Sequence, residues 1–194
     1  MPRVAILGWG SLLWDRGTLQ VSGNWKKDGP SLPIEFARTS GLKDKEKPPY
    51  LSLVLHPDAG LIRTYWDVSF LTEHRDDAIC DLRKRERCTL SDIAHLPADT
   101  AQSPIPGVDL RIREWLLSKR AQIDAVIWTN LPPKLEQRQT FIIEESIAWL
   151  DNLRANNRQE RAQQYIQRAP SQTDTCLRRQ VRERFHWTDI DIGF

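Results

Sequence analysis

Hydrophobic positions divide the chain into a strand-rich first half and a helix-rich second half. Residues 3–8 contain the continuous apolar run Val4–Leu7 and end at glycine, which is typical of a strand buried on both faces. Alternation over residues 32–37 predicts a second strand with one buried face. Two more strands are predicted at 50–55 and 61–68, and the turn-forming residues 56–60 predict that they pair as an antiparallel hairpin. In the second strand, the residues expected to face outward are Pro33, Glu35 and Ala37.

A change of period from two to about 3.6 residues marks the predicted helices. The first is predicted to follow Thr72 as its N-cap, with acidic residues in its first turn and basic residues near its end. The basic residues are Arg83, Lys84, Arg85 and Arg87. Further along, the pattern predicts a short helix around 112–116, a fifth strand at 124–129, and helices around 143–153, 161–168 and 173–185.

This order of elements predicts the fold class. Strands that precede helices, with hairpin connections among the early strands, favour an α+β fold over a doubly wound parallel sheet. We expect the sheet to be mixed and strongly curved. A length of 194 residues falls in the range of one domain, so residues 1–194 are expected to form a single domain with a helical extension from about residue 135.

Charge and hydropathy limit the classes of partner. The chain has 28 Lys and Arg against 26 Asp and Glu, and this balance indicates neither nucleic acid nor a membrane surface as partner. No signal peptide or membrane span is predicted, so the protein is expected to be cytoplasmic. Acidic residues interrupt the arginines of the last third, which are therefore expected to form a solvated helical face. They are Arg154, Arg158, Arg161, Arg168, Arg178, Arg179, Arg182 and Arg184.

Cysteine and histidine patterns argue against disulfides and metal sites. Cys80, Cys88 and Cys176 make an odd number with no Cys-x-x-Cys pair. On one helix, Cys80 and Cys88 would be roughly 12 Å apart along the axis, beyond the ~7 Å limit for a bridge. The four histidines are scattered, so no metal is expected.

A glycine-containing loop follows the first strand. Gly8-Trp9-Gly10-Ser11 begins like a dinucleotide-binding fingerprint, but Leu13 stands where the third glycine is needed. A nucleophile elbow around Ser11 would need glycines at positions 9 and 13. Two interpretations remain. The loop is either a nest of backbone amides for a carboxylate or oxyanion, with Trp9 at the pocket rim, or a tight turn without a ligand.

Glu86 is the acid whose helical position suggests chemistry. At ~100° per residue it falls about 20° from Ile79, on the same stripe as Leu82. Its carboxylate is therefore predicted to point towards the core, where desolvation would raise its pKa and suit proton transfer near neutral pH. The alternative is a structural ion pair at the helix end, for instance with Arg38 or Arg63.

Four stretches of this sequence resemble the gamma-glutamylcyclotransferase-like superfamily in the same order. Residues 4–14 resemble its opening strand and Tyr-Gly-Ser-Leu type loop, in particular that of the ChaC-type branch. The other three are 33–38, 51–55 and 82–86, and the resemblance extends from residue 4 to about 130. It implies that Glu86 is the catalytic glutamate and that Gly8, Trp9, Gly10, Ser11 and Leu12 hold the substrate. Arg38 is a further candidate for the site.

The resemblance also implies a fold and a reaction. The fold is a small mixed barrel with flanking helices, and no cofactor is required. In the reaction, the α-amine of a γ-glutamyl compound attacks its own side-chain carbonyl and gives 5-oxoproline and a free amine, with Glu86 as general acid and base. The partner is then a small γ-glutamyl or amino-acid-like molecule.

Two departures from the superfamily pattern bear on the substrate. Trp9 replaces the common Tyr, which removes a hydroxyl from the pocket, and Arg87-Cys88 replaces the Gly/Tyr-rich continuation of glutathione-specific members. Both argue against glutathione. The alternative function is a non-catalytic module on the same fold that binds an amino-acid-like carboxylate. A nucleic-acid-binding role ranks third.

Overall fold

A computed structural model describes residues 3–42, 44, 46–71, 74–136 and 142–190, and within these the protein is α+β. Its strands are β1 (Val4–Gly8), β2 (Ser31–Ser40), β3 (Tyr50–Leu55), β4 (Leu61–Arg63), β5 (Tyr65–Val68), β6 (Ile93–Leu96) and β7 (Ala125–Thr129). Its α-helices are α1 (Arg75–Glu86), α2 (Val108–Ser118), α3 (Ile143–Ala155), α4 (Glu160–Arg168) and α5 (Cys176–Phe185). The α+β prediction is confirmed.

Two compact units divide the chain. The first comprises residues Met1–Leu32 and Arg63–Leu131. It contains a four-stranded sheet in the order β5-β1-β7-β6, in which β1 is antiparallel to β5 and parallel to β7. The sheet is therefore mixed, as predicted. All five residues of β1 are buried, because this strand has sheet neighbours on both sides and covered faces.

The second unit comprises residues Pro33–Ile62 and Pro132–Phe194 and contains helices α3, α4 and α5. Its sheet has the order β3-β2-β4, with β2 and β3 antiparallel. Helix α4 packs on β3, where the Tyr165 ring lies 4.7 Å from that of Tyr50. The helical extension predicted from about residue 135 belongs to this unit. Both strand orders are open, and the prediction of a single domain stays a prediction.

The predicted hairpin between residues 50–55 and 61–68 is wrong. Strands β3 and β4 lie on opposite sides of β2 and do not pair with each other. The 61–68 run also breaks at Thr64, whose amide and hydroxyl both donate to the Pro30 carbonyl. Because Thr64 bonds outside the ladder, the run gives two short strands, and β5 pairs with β1.

The prediction that β2 has one buried face is also wrong. Pro33, Glu35 and Ala37 are as buried as the alternate residues, and Glu35 is only 2% exposed. The Glu35 carboxylate accepts hydrogen bonds from the Phe36 amide at 2.9 Å and from the Leu177 amide at 3.3 Å. These bonds satisfy a polar group that the sequence pattern assigned to solvent.

The arginines of the last third do not all lie on a solvated face, because Arg178 is completely buried. Its guanidinium donates to the carbonyls of Pro170, Thr173 and Ala169 and forms an ion pair with Asp189 at 2.9 Å. Arg178 thereby fixes the loop before α5. Burial lowers its pKa, and the neighbouring Asp189 opposes that shift.

Four remaining expectations concern the N-cap of α1, the thiols, membrane spans and metal sites. Thr72, the predicted N-cap, lies outside the described residues, and α1 begins at Arg75 with His74 in the N-cap position. Cys80, Cys88 and Cys176 are free thiols.

Of the helices in the described ranges, none has both the length and the apolar character needed to cross a membrane. The described residues also contain no cluster of His, Cys, Asp and Glu suited to a metal ion.

Candidate functional site

Gly8 closes β1 against an aromatic ring. A Cβ atom at this position would lie 2.5 Å from Cζ3 of Trp25, far inside van der Waals contact. Trp25 belongs to the core of the first unit, together with Leu12, Leu13 and Leu82. The packing of Trp25 is therefore enough to explain the first glycine of the loop.

The second glycine turns the chain. Gly10 has a φ of +63°, a conformation that favours glycine, and it begins a 3-10 turn over Gly10–Leu12. The Leu13 amide closes this turn on the Gly10 carbonyl at 3.1 Å. A turn of this kind does not itself satisfy its first amides, and Trp9, in the N-cap position, supplies no side-chain cap.

The side chains of this loop differ in exposure. Trp9 is 7% exposed and Leu12 is 3% exposed, so both are largely in the core. Trp9 was predicted at a pocket rim, and its burial leaves little of its surface for a ligand. Ser11 is intermediate in exposure. Ser11 is therefore the most accessible side chain among the predicted substrate-binding residues of the loop.

Glu86 is the last residue of α1, on the face that carries the buried Ile79 and Leu82. Its side chain is 17% exposed. Burial raises the pKa of this carboxyl, and the charge and hydrogen bond of Arg85 oppose the rise. A carboxylate also lies unfavourably at a helix C-terminus, because the helix dipole is negative there. This acid therefore occupies a position that does not favour its ionised form.

Arg85 joins Glu86 to the loop. Its Nη1 donates to Oε1 of Glu86 at 2.8 Å, and its Nη2 donates to Oγ of Ser11 at 3.2 Å and to the Asp15 carbonyl. The Arg85 side chain is 12% exposed. A single guanidinium thus connects the predicted catalytic acid with the predicted substrate-binding loop.

Cys88 lies just beyond the end of α1 and packs against the same core. Burial, together with the negative charges of Asp92 and Glu86, raises the pKa of its thiol to about 11. The thiolate is the nucleophilic form of cysteine, and a raised pKa lowers the fraction of thiolate near neutral pH. Cys88 is therefore a poor candidate for a nucleophile.

Arg38 belongs to the second unit, where its Nη1 donates to the Pro132 carbonyl at 2.8 Å. The ion pair found for Glu86 is with Arg85, not the pairing with Arg38 or Arg63 considered from the sequence. From the sequence, Arg85 is only one of several bases near the helix end. No spacing rule could have indicated its role, because residues i and i+1 do not face each other on a helix.

Comparison of the chain with protein-family models, with curated proteins and with solved structures finds no match.

Proposed function

We propose that this protein is a gamma-glutamylcyclotransferase-like enzyme that converts a γ-glutamyl amine or peptide to 5-oxoproline and a free amine. The observation that carries the proposal is the chain of contacts from the Glu86 carboxylate through Arg85 to Ser11. These contacts lie in the two stretches that resemble the superfamily's loop and glutamate. The proposal includes the superfamily's small curved barrel and a cytoplasmic location.

Glu86 is the general base and acid of the proposed reaction. The substrate α-ammonium must lose a proton before its nitrogen can attack the γ-carbonyl carbon, and Glu86 accepts it. A ring C–N bond forms and gives a tetrahedral oxyanion. When the bond to the leaving nitrogen breaks, Glu86 returns its proton to that nitrogen. The ring nitrogen passes its surplus proton to the departing amine, which leaves as an ammonium ion, so the carboxylate is regenerated and no co-reactant is consumed.

The loop supplies the second part of the proposed site. Backbone amides at Gly10 and Ser11 are assigned to the substrate oxygens, because these residues form the turn that follows the strand end and begins at a glycine with positive φ. Leu12 and Gly8 contribute through the backbone, since one is packed in the core and the other against Trp25. Of the loop residues, Ser11 is the one assigned a side-chain role.

The alternative is a non-catalytic module that binds an amino-acid-like carboxylate at the same loop. Both functions use the loop amides, and only the enzyme requires a base. The raised pKa of Glu86 favours the enzyme, because a base whose pKa approaches the operating pH transfers protons more efficiently. A pure binding site for anions gains nothing from a buried acid beside it.

Incubation with a panel of γ-glutamyl amines and γ-glutamyl dipeptides, followed by mass spectrometry of 5-oxoproline, tests the proposal. We expect at least one member to be converted, and glutathione to be a poor substrate. In parallel, titration with 5-oxoproline and glutamate, followed by tryptophan fluorescence, measures binding. Trp9→Phe identifies the part of the fluorescence change that originates at the loop.

The two functions predict different outcomes for this pair of experiments. Conversion of a panel member, with turnover proportional to protein concentration, supports the enzyme. Saturable binding without any 5-oxoproline release supports the module. Absence of both contradicts a ligand site at this loop and leaves it a structural turn.

A further inference from the structure

The Arg85 guanidinium makes three hydrogen bonds to two separate segments of the first unit. It bonds Glu86 on its own helix, and it reaches back to Ser11 and Asp15 on the loop after β1. The loop and the helix end are about 70 residues apart in sequence. The bonds to the loop are long-range contacts, and the side chain that makes them is nearly buried.

The bond to Glu86 does not follow from helix geometry alone. Adjacent residues of a helix point about 100° apart, so their side chains ordinarily diverge. Here the helix ends at Glu86, and Arg87 continues in the left-handed region with a φ of +54°. With no following helical turn beside them, the long Arg85 side chain and the Glu86 carboxylate converge beside the loop.

A guanidinium group suits the place where the end of α1 meets the loop after β1 better than an ammonium group would. Arginine presents several N–H donors in one rigid plane and stays charged at all physiological pH values. One nitrogen can therefore orient the carboxylate while another holds a hydroxyl and a carbonyl. A lysine at the same position would provide the charge as a single point, and it could not fix both segments at once.

We propose that Arg85 is a positioning residue that fixes the Glu86 carboxylate and the Ser11 loop relative to each other; the inference rests on the proposed function. It acts through Glu86 and need not contact the substrate. A carboxylate released from this bond would be free to rotate, and misplacement of a catalytic group by about 1 Å is enough to cost about 10²-fold in rate.

Arg85 also opposes the effect of burial on Glu86. Removing its positive charge leaves desolvation unopposed, so the pKa of Glu86 should rise further. Other charged or titratable groups in this region are Arg83 on α1, Asp15 on the loop, Cys88 after the helix and Asp92 on the 3-10 turn Leu90–Asp92. These groups are the same in every variant below, so differences between the variants report on Arg85.

The test compares Arg85→Met with Arg85→Lys and with Lys84→Met. Lys84 is exposed on the same helix, so Lys84→Met removes one positive charge and leaves the hydrogen bonds of Arg85 in place. For Arg85→Met we expect a fall in kcat of about 10²-fold with a smaller change in KM, and an acid limb of kcat/KM at higher pH. Arg85→Lys should keep the acid limb near its original position and still lose kcat. Lys84→Met should leave all three quantities unchanged.

A second measurement does not depend on activity. Carbon-13 NMR of the glutamate side-chain carboxyl carbons, with Glu86→Gln used to assign the Glu86 resonance, gives the titration of Glu86 directly. We expect Glu86 to titrate at higher pH in Arg85→Met. If the chain produces no 5-oxoproline from any substrate, the proposed function fails, and this titration still decides whether Arg85 controls Glu86.

Two results would overturn the inference. One is an Arg85→Met protein with kcat and Glu86 titration equal to those of the unmodified chain. The other is an Arg85→Lys protein with full kcat, because that variant retains the charge without the planar donors. If Arg85→Met does not fold, the kcat of Arg85→Lys and the titration of Glu86 in that variant decide the question.

Discussion

Two glutamates, one in each unit, lie at opposite kinds of helix end: Glu35 is buried, and Glu86 has a side chain that is 17% exposed. Glu35 on β2 accepts hydrogen bonds from backbone amides at the N-terminus of α5 and from the Thr175 hydroxyl. Glu86 lies at the C-terminus of α1 and is held by one arginine side chain. Burial raises the pKa of both carboxyls.

The two kinds of helix end differ in their effect: a carboxylate such as Glu35 stabilises the helix end that it contacts, whereas the carboxylate of Glu86 does not. Amides at a helix N-terminus carry partial positive charge, so a carboxylate there caps the helix and compensates for its own burial. A carboxylate at a helix C-terminus faces partial negative charge, and it requires a dedicated cation. A buried acid at the unfavourable end is therefore the better candidate for chemistry, because folding alone gives no reason for it.

The largest expected effect comes from exchanging each acid for its amide. Glu86→Gln should lower kcat/KM by about 10²–10⁴-fold, because it removes the base while keeping the shape. Glu35→Gln should leave turnover per folded molecule unchanged. Rates of 5-oxoproline formation and melting temperatures of the two variants test this. A reversed pattern, with activity lost only in Glu35→Gln, would reverse the roles of the two acids.

The next effect is on stability in the second unit. Glu35→Ala leaves buried amides near residue 177 without their acceptor, and we expect it to lower the free energy of unfolding by about 1–3 kcal/mol. Urea denaturation measures this change. The matched control is Glu183→Ala, which removes an exposed acid from α5 itself and should change stability by about 0.5 kcal/mol or less. Equal effects in the two variants would contradict the capping role of Glu35.

Substitution of Gly8 tests whether this glycine is required by the packing of Trp25 or by a ligand. Gly8→Ala places a methyl group 2.5 Å from the Trp25 ring and should destabilise the chain by about 1–3 kcal/mol through overpacking. Gly60→Ala is the control, because a Cβ there meets nothing within 4 Å. Thermal denaturation of both variants, and of Gly8→Ala with Trp25→Leu, measures the effect. A fully stable Gly8→Ala protein that has lost ligand binding would show that Gly8 serves the ligand and not the core.

Periodicity predicted the elements better than it predicted their partners. Strands β1 and β3, and the helices at 143–153, 161–168 and 173–185, lie close to their predicted positions. The hairpin assignment failed because turn-forming residues indicate a reversal of the chain, and they do not show which strand is paired. Strand β6 was missed, since its four residues are too few to establish a period.

Buried charged residues were the second source of error, and the reason is tertiary. The alternation on β2 assigned Glu35 to solvent, but besides the adjacent Phe36 amide, the amide that satisfies it comes from a segment about 140 residues later. Arg178 was assigned to a solvated face, and its acceptors are loop carbonyls that no local pattern describes. For Glu86 the helical wheel indicated the correct stripe, because its neighbours on that stripe, Ile79 and Leu82, are local.

The smallest expected effect is the change of stability with pH, and it has the same sign for Glu35 and Glu86. Because burial raises both pKa values above the ordinary 4.5, protonation of each acid favours the folded state over the unfolded chain. That contribution is complete below the pKa of the unfolded chain and is lost as pH rises through the folded-state pKa. Relative to the unmodified chain, Glu35→Gln and Glu86→Gln should therefore each gain stability as pH rises from about 4.5.

Activity should respond to only one of the two titrations. The acid limb of kcat/KM is expected to have an apparent pKa above the ~4.3 of a free glutamate, since Glu86 must be ionised to accept a proton. Glu35→Gln should leave this limb in place, whereas the residual activity of Glu86→Gln should lack it. Profiles measured from pH 4 to 8 with one γ-glutamyl substrate make the comparison, and the titration of the substrate alone corrects for its own ionisation. A limb that persists in Glu86→Gln belongs to another group, and Glu86 is then the structural partner of Arg85, as Glu35 is of the α5 amides.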